Sequence, residues 1–122
     1  MNSTTFAPIN SIVFVSDNLK SKPPEHVDGS LISYNEFCVS VGTYPEVDGE
    51  TEFSLGKAEE VNDALQLVFD GMIQTPSRKL IISTVWDEVL LEDSVTDVET
   101  RIRVWVDHLR WPQKLVVGWG RG

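Results

Sequence analysis

The chain has few of the residues that usually carry chemistry. Of its 122 residues only one is cysteine and two are histidine. A single cysteine, Cys38, forms no intramolecular disulfide and builds no cysteine-rich zinc site. Set between Phe37 and Val39, it reads as a small buried apolar residue. His26 stands in a loop after Pro23-Pro24, and His108 stands next to Leu109. Neither has a nucleophile context such as Gly-x-Ser-x-Gly nearby. A nucleophile, base and orienting acid would have to be built from these few groups, so no catalytic residue is assigned. The glycines form neither Gly-x-x-x-x-Gly-Lys nor Gly-x-Gly-x-x-Gly, which leaves a nucleotide without a phosphate cradle and implies no cofactor. Gly118-Trp119-Gly120-Arg121-Gly122 is a tail, not a phosphate loop. No apolar run approaches the ~20 residues that span a bilayer. Met1 to Pro8 lacks the basic and apolar regions of a signal peptide. The expected compartment is the cytoplasm.

Positive charge is also scarce. Ten Lys and Arg face nineteen Asp and Glu, giving a net charge of −9 and a pI near 4.5. That balance argues against nucleic acid, whose phosphates are held by Lys and Arg, and against an anionic membrane surface. It favours a basic protein partner, or solubility alone. The imbalance is local. Glu25 to Asp63 holds ten acids (Glu25, Asp28, Glu36, Glu46, Asp48, Glu50, Glu52, Glu59, Glu60 and Asp63) against one base, Lys57, so this third of the chain carries the entire net charge.

What the chain does have is β-forming sequence in the length of a single domain, residues 1–122. Residues 1–8 read as a polar, flexible start. Ile9 to Ser16 includes the β-branched run Ile12-Val13-Phe14-Val15. Pro23-Pro24 and Asp28-Gly29 mark loop and turn. Ser30 to Tyr34 starts a second extended segment, and Phe37, Val39 and Val41 alternate with Cys38, Ser40 and Gly42 as in a half-buried strand. Asp48-Gly49 is the strongest hairpin signal in the chain and joins that strand to a returning one, Thr51 to Leu55. Lys57 to Met72 supports two readings. Ala58, Val61, Leu65, Val68 and Met72 follow helical spacing, while Leu65, Leu67, Phe69 and Ile73 also fit period two. The reading adopted is a short helix over Lys57 to Asn62 and a strand from Leu65 to Gln74. Lys79 to Trp86 is a strand apolar on both faces, followed by a short segment at Val89 to Leu91. Arg101 to Asp107 places Ile102, Val104 and Val106 inward. Lys114 to Trp119 places Leu115, Val117 and Trp119 on one face. Seven or eight short strands with at most one short helix imply a mainly β domain, a two-layer β-sandwich.

The candidate binding residues follow from the acidic segment. Glu46, Asp48, Glu50 and Glu52 surround the tight turn, with Glu59, Glu60 and Asp63 extending the patch. Alternate carboxylates at a turn suit a hard cation in principle, but the ligand order of a calcium loop is missing, so no metal is assigned. Concentrated acid speeds association with a basic partner; the plain alternative is a solvated face that protects strand edges. Trp86 and Trp119 fall in phase with apolar neighbours and are expected in the core. Trp105 falls on the side of Arg101 and Arg103, where it can stack on a guanidinium. Trp111, in the loop with Arg110 and Pro112, is the candidate aromatic anchor for a partner.

Leu31-Ile32-Ser33-Tyr34-Asn35-Glu36-Phe37-Cys38-Val39 resembles the ComJ type of nuclease inhibitor. Those short acidic bacterial proteins show a comparable Ile-Ser-Tyr-x-x-Phe opening followed by a β-rich C-terminal half. The resemblance implies an inhibitor or immunity protein that binds a basic toxin or nuclease, and it carries no individual functional residue across. With the charge pattern it gives the working expectation: a non-enzymatic, cytoplasmic protein that neutralises a basic partner. The alternative is a small-ligand-binding or enzymatic β domain with a pocket between its sheets.

Overall fold

Alternating β-branched and aromatic residues give most strands one face to bury, and ten strands form among the described residues. The computed structural model describes residues 1–25, 27, 29–61 and 64–120. The strands are β1 (Asn2–Phe6), β2 (Ile12–Ser16), β3 (Ile32–Tyr34), β4 (Cys38–Gly42), β5 (Thr51–Lys57), β6 (Gln66–Gln74), β7 (Lys79–Ser83), β8 (Val89–Ser94), β9 (Glu99–Val106) and β10 (Lys114–Trp119). They form two five-stranded sheets, ordered β1-β5-β10-β9-β6 and β3-β4-β2-β7-β8. Every pairing is antiparallel except β5 with β10. Both sheets supply one apolar core: Val13, Val15, Val39, Val41, Leu80 and Ile82 from the second meet Phe53, Leu55, Ile102, Val104, Leu115 and Val117 from the first. The mainly β, two-layer expectation therefore holds, with ten strands in place of seven or eight.

The strands at Thr51, Lys79, Arg101 and Lys114 appear where the sequence puts them, and the inward phases of β9 and β10 are as read. Four local expectations do not hold. The polar start is an edge strand, β1, paired along β5 from Asn2↔Leu55 to Phe6↔Thr51. Ile9–Ser11 is a 3-10 turn, not the beginning of a strand. The helix expected over 57–62 is one 3-10 turn, Ala58–Glu60; Asn62 and Asp63 lie outside the described residues. Trp86 leaves the core: its strand ends at Ser83, and Trp86 is 74% exposed in the following turn. Thr84 ends the ladder because its Oγ1 accepts the N–H groups of Trp86 and Glu88, the local competition that makes threonine a turn residue.

The largest correction concerns Asp48-Gly49. β4 and β5 are not hairpin partners; they lie in different sheets. The intervening residues 43–50 cross from one layer to the other. A turn does form, but two positions earlier, with the Pro45 carbonyl accepting the Asp48 N–H at 2.9 Å. Gly49, at φ +151, supplies the backbone conformation a side chain would resist.

A second crossing explains the 57–74 ambiguity. β5 and β6 run parallel at a distance, because β10 and β9 lie between them. The chain leaving β5 therefore starts its crossing over the outer face of the first sheet at Ala58. Ala58 packs there against Gly118, where an added Cβ would sit 2.8 Å from the Ala58 Cα and 2.8 Å from the Trp105 ring. β6 then carries a bulge at Val68, since Leu67 opposes Trp105 and Phe69 opposes Val104. That extra residue breaks period two, leaving Leu67 exposed and Phe69 buried.

The close contact at Gly118 gives the first prediction. Gly118→Ala forces the crossing off the sheet and should destabilise the fold by about 1–3 kcal/mol. Urea unfolding with an unchanged m-value measures this; wild-type stability would mean that the crossing does not press on β10.

Candidate functional site

The strand registers define two ends of the molecule. Glu52 and Lys114, at the starts of β5 and β10, are level with each other, and Val106, at the end of β9, is level with Leu115 and Gln66. In the other sheet, Ile12 pairs with Gly42 and Phe14 with Ser83, so the 9–11 turn, the 43–50 crossing and the 84–88 turn gather together. Hydrogen bonds join this end to the 107–113 loop. The Thr43 N–H donates to the Ser11 carbonyl, the Tyr44 N–H to the Pro112 carbonyl and the Glu52 N–H to the Gln113 carbonyl, at 2.8–2.9 Å. Thr51, wholly buried, donates its Oγ1 proton to the same Pro112 carbonyl at 3.1 Å and accepts the Tyr44 N–H at 3.2 Å.

This loop end brings together Glu46, Asp48, Glu50, Glu52 and Trp111. Glu46 is fixed: its Oε1 accepts the Asn10 N–H at 3.1 Å, and its own N–H donates to Ser11 Oγ at 3.0 Å. Glu52 lies 3.8 Å from Lys114 Nζ. Asp48 and Glu50 are exposed and form no ion pair among the described residues. Trp111, 49% exposed, is held from both sides. The Arg110 guanidinium lies 4.8 Å from its ring centroid, and the His108 ring is parallel to it within 8° at 6.5 Å. His108 Nδ1 accepts the N–H groups of Arg110 and Trp111. Asp107 Oδ1 accepts those of Gln113 and Lys114. The loop is thus shaped by its own side chains.

Glu59 and Glu60 are elsewhere. They follow Lys57 at the far end of β5, a strand of seven residues, or roughly 20 Å from Glu52 at ~3.3 Å per residue. Glu60 pairs with the terminal amine of Met1 at 3.4 Å. Glu59 lines a groove of about 610 Å³ with Lys57, Met72, Glu99, Arg101 and Trp119. The patch read from the sequence is therefore split between two ends. Asp63, its last member, and His26 lie outside the described residues.

Two features of the loop end escape a sequence reading. Trp86 projects there from the opposite sheet. Three non-glycine residues with positive φ also lie there: Asn10 (φ 60), Ser11 (φ 54) and Asp87 (φ 60). Such conformations persist where surrounding structure holds them, and they concentrate at functional sites. The sequence signal for Trp86 was Thr84 and Asp87, both turn formers, on either side of it.

Trp105 stacks as expected, with the Arg103 guanidinium 5.6 Å from its ring. Trp119 is buried and donates its indole N–H to Asp93 Oδ2 at 2.9 Å. Cys38 is buried, and burial pushes its thiol up to about 12, so it remains a neutral thiol and not a nucleophile. Among the described residues, no group of three or more His, Cys, Asp or Glu is placed to hold a metal ion. Among the described residues no helix is long and apolar enough to cross a membrane. Compared with known proteins, the chain matches no family model, no curated sequence and no solved structure.

At the groove end, Arg101 is committed to Asp70 by two bonds, Nε to Oδ1 at 2.8 Å and Nη2 to Oδ2 at 2.7 Å. These hydrogen bonds, aided by the charges of Arg101 and Arg103, hold the Asp70 carboxyl below the usual carboxylate range against the opposing effect of burial. A depressed folded value means that the pair's stabilisation is present above the unfolded carboxylate pKa of ~3.9 and is lost as pH falls through the folded value. Carboxyl NMR should find Asp70 titrating below that value, and Arg101→Gln should return it upward. An Asp70 midpoint indifferent to Arg101→Gln would contradict the pairing.

Proposed function

We propose that this protein is a non-enzymatic binding protein, an inhibitor or immunity protein that neutralises a basic toxin or nuclease. The observation that supports this most is the loop end itself. Hydrogen bonds between the 9–11, 43–52 and 107–113 segments hold the backbone that carries Glu46, Asp48, Glu50 and Glu52 at the same end as the Trp111 loop. Unpaired carboxylates such as Asp48 and Glu50, carried on a held backbone, can meet Lys and Arg without first losing the entropy of a floppy acidic tail. They also steer a basic partner inward from a distance, which speeds encounter. Trp111, already clamped by Arg110 and His108, offers apolar area at little further ordering cost.

The split of the acidic segment narrows the reading. Glu59 and Glu60 belong to the far end and do not enlarge the contact. The resemblance of residues 31–39 to ComJ-type inhibitors points the same way as the charge. A cytoplasmic site of action goes with such a role.

The test measures binding to a panel of basic nucleases of pI above about 9 at two salt concentrations, about 50 and 500 mM. A cognate nuclease should bind less tightly in the higher salt. Asp48→Lys with Glu50→Lys should weaken binding by at least about tenfold, whereas Glu59→Lys with Glu60→Lys should leave it within about twofold. Affinity indifferent both to salt and to the first pair of changes would overturn the proposal.

A further inference from the structure

The outer face of the second sheet carries a cavity that the proposed acidic contact does not use. Strand alternation sends Val13, Val15, Val39, Leu80 and Ile82 to the core, so Phe14, Ser16, Cys38 and Ser83 point the other way. That side is not open solvent. Ser16, Cys38 and Ser83 are 1–3% exposed, because the chain after β2 folds back over the sheet. Asp17 anchors the return: its buried carboxylate accepts the N–H groups of Ser77 and Lys79 and the Asn18 amide at 2.8–3.3 Å. Between this returning loop and the 84–87 turn lies a cavity of about 210 Å³. Phe14, Cys38 and Ser83 line it from the sheet, Leu19 and Pro23 from the loop, and Asp87 from the turn.

Three properties of the lining specify a ligand. Ser83 is 97% buried, yet its hydroxyl has no hydrogen-bond partner among the described residues. Ser83 lines the cavity, so this hydroxyl is free to bond to an occupant. Among the described residues Asp87 is the only charged one in the lining, and its carboxylate has no partner among them. It is held at φ 60 by a turn whose Asp87 N–H donates to the Thr84 carbonyl at 3.1 Å. Phe14 supplies an aromatic face, and Leu19 and Pro23 supply apolar walls. Cys38 adds no charge, because burial keeps its thiol protonated.

We infer that this cavity is a binding site for a primary alkylammonium group, with Asp87 and Ser83 accepting its N–H donors and the Phe14 side of the cavity taking its alkyl chain. A cation is selected over an anion by the single carboxylate, and over a neutral alcohol by the same group. An ammonium also gains from an aromatic face. The group can come from a free small amine or from a lysine side chain. This site does not depend on the proposed function, since none of Glu46, Asp48, Glu50 and Glu52 lines it.

Two-dimensional NMR of the intact chain tests the inference, with 1,5-diaminopentane as the free-amine probe and Nα-acetyl-lysine-methylamide as the lysine probe. n-Butanol and butyrate serve as neutral and anionic controls. Saturable shifts of the Phe14, Ser83 and Asp87 amides are expected with at least one ammonium probe, on the order of millimolar for so small a ligand. The tighter probe identifies the source. Asp87→Asn, which tolerates positive φ, should weaken binding at least about tenfold, and Ser83→Ala several-fold. The rest of the spectrum shows that each variant is folded. Equal shifts with butanol, unchanged binding by a folded Asp87→Asn, or no saturable shift with either probe would overturn it.

Discussion

The hydroxyl of Thr51 is the joint on which the arrangement of the loop end depends. It is wholly buried, donates to the Pro112 carbonyl and accepts the Tyr44 N–H. Through that one oxygen the chain leaving the second sheet is fastened to the first strand of the other sheet it enters and to the loop between β9 and β10. Few side chains can do this, because a hydroxyl can donate and accept at once. Valine has nearly the same shape but would leave both the Tyr44 N–H and the Pro112 carbonyl with one partner fewer in a dry place. The neighbouring backbone bonds Tyr44 to Pro112 and Glu52 to Gln113 then extend the junction. The acidic crossing is consequently part of the frame, not a tether.

Electrostatics acts on that frame unevenly. Of the seven acids that form one run in the sequence, four come to the loop end and two go to the groove end, where the Met1 amine takes one of them. Net charge describes the molecule, but its direction is set by β5, whose length separates the two groups. Glu46 is bound by the Asn10 N–H and Glu52 faces Lys114, so of these four only Asp48 and Glu50 are exposed and unpaired among the described residues. Exposed pairs such as Arg101 with Asp70 add little to stability in water; here the pair also removes a cation from the groove.

Much of this was legible in the sequence where periodicity is strict. Ile102, Val104 and Val106 declare their face, as do Leu115, Val117 and Trp119, and the structure buries all six. The arginine stacking of Trp105 followed from the same phase. Legibility failed where long-range pairing decides the outcome. Asp48-Gly49 is a sound local turn signal, yet nothing local says that the strands beside it join different sheets. Residues 57–74 mix two periods because they hold a 3-10 turn, a crossing over Gly118 and a bulge at Val68. Trp86 looked internal because a β-forming run was extended past Thr84, whose hydroxyl ends the strand. Asn2–Phe6, polar and unpatterned, forms a strand because β5 offers it an edge.

The most direct test of a rigid loop-end contact is hydrogen–deuterium exchange on the protein alone and bound to a cognate basic nuclease. The account predicts that the Tyr44 and Glu52 amides are already protected in the free protein, because the junction is formed before binding. The complex should then add protection within residues 43–52 and 107–113 and none within residues 57–60. Fast exchange at Tyr44 and Glu52 in the free protein, or new protection confined to residues 57–60, would contradict it.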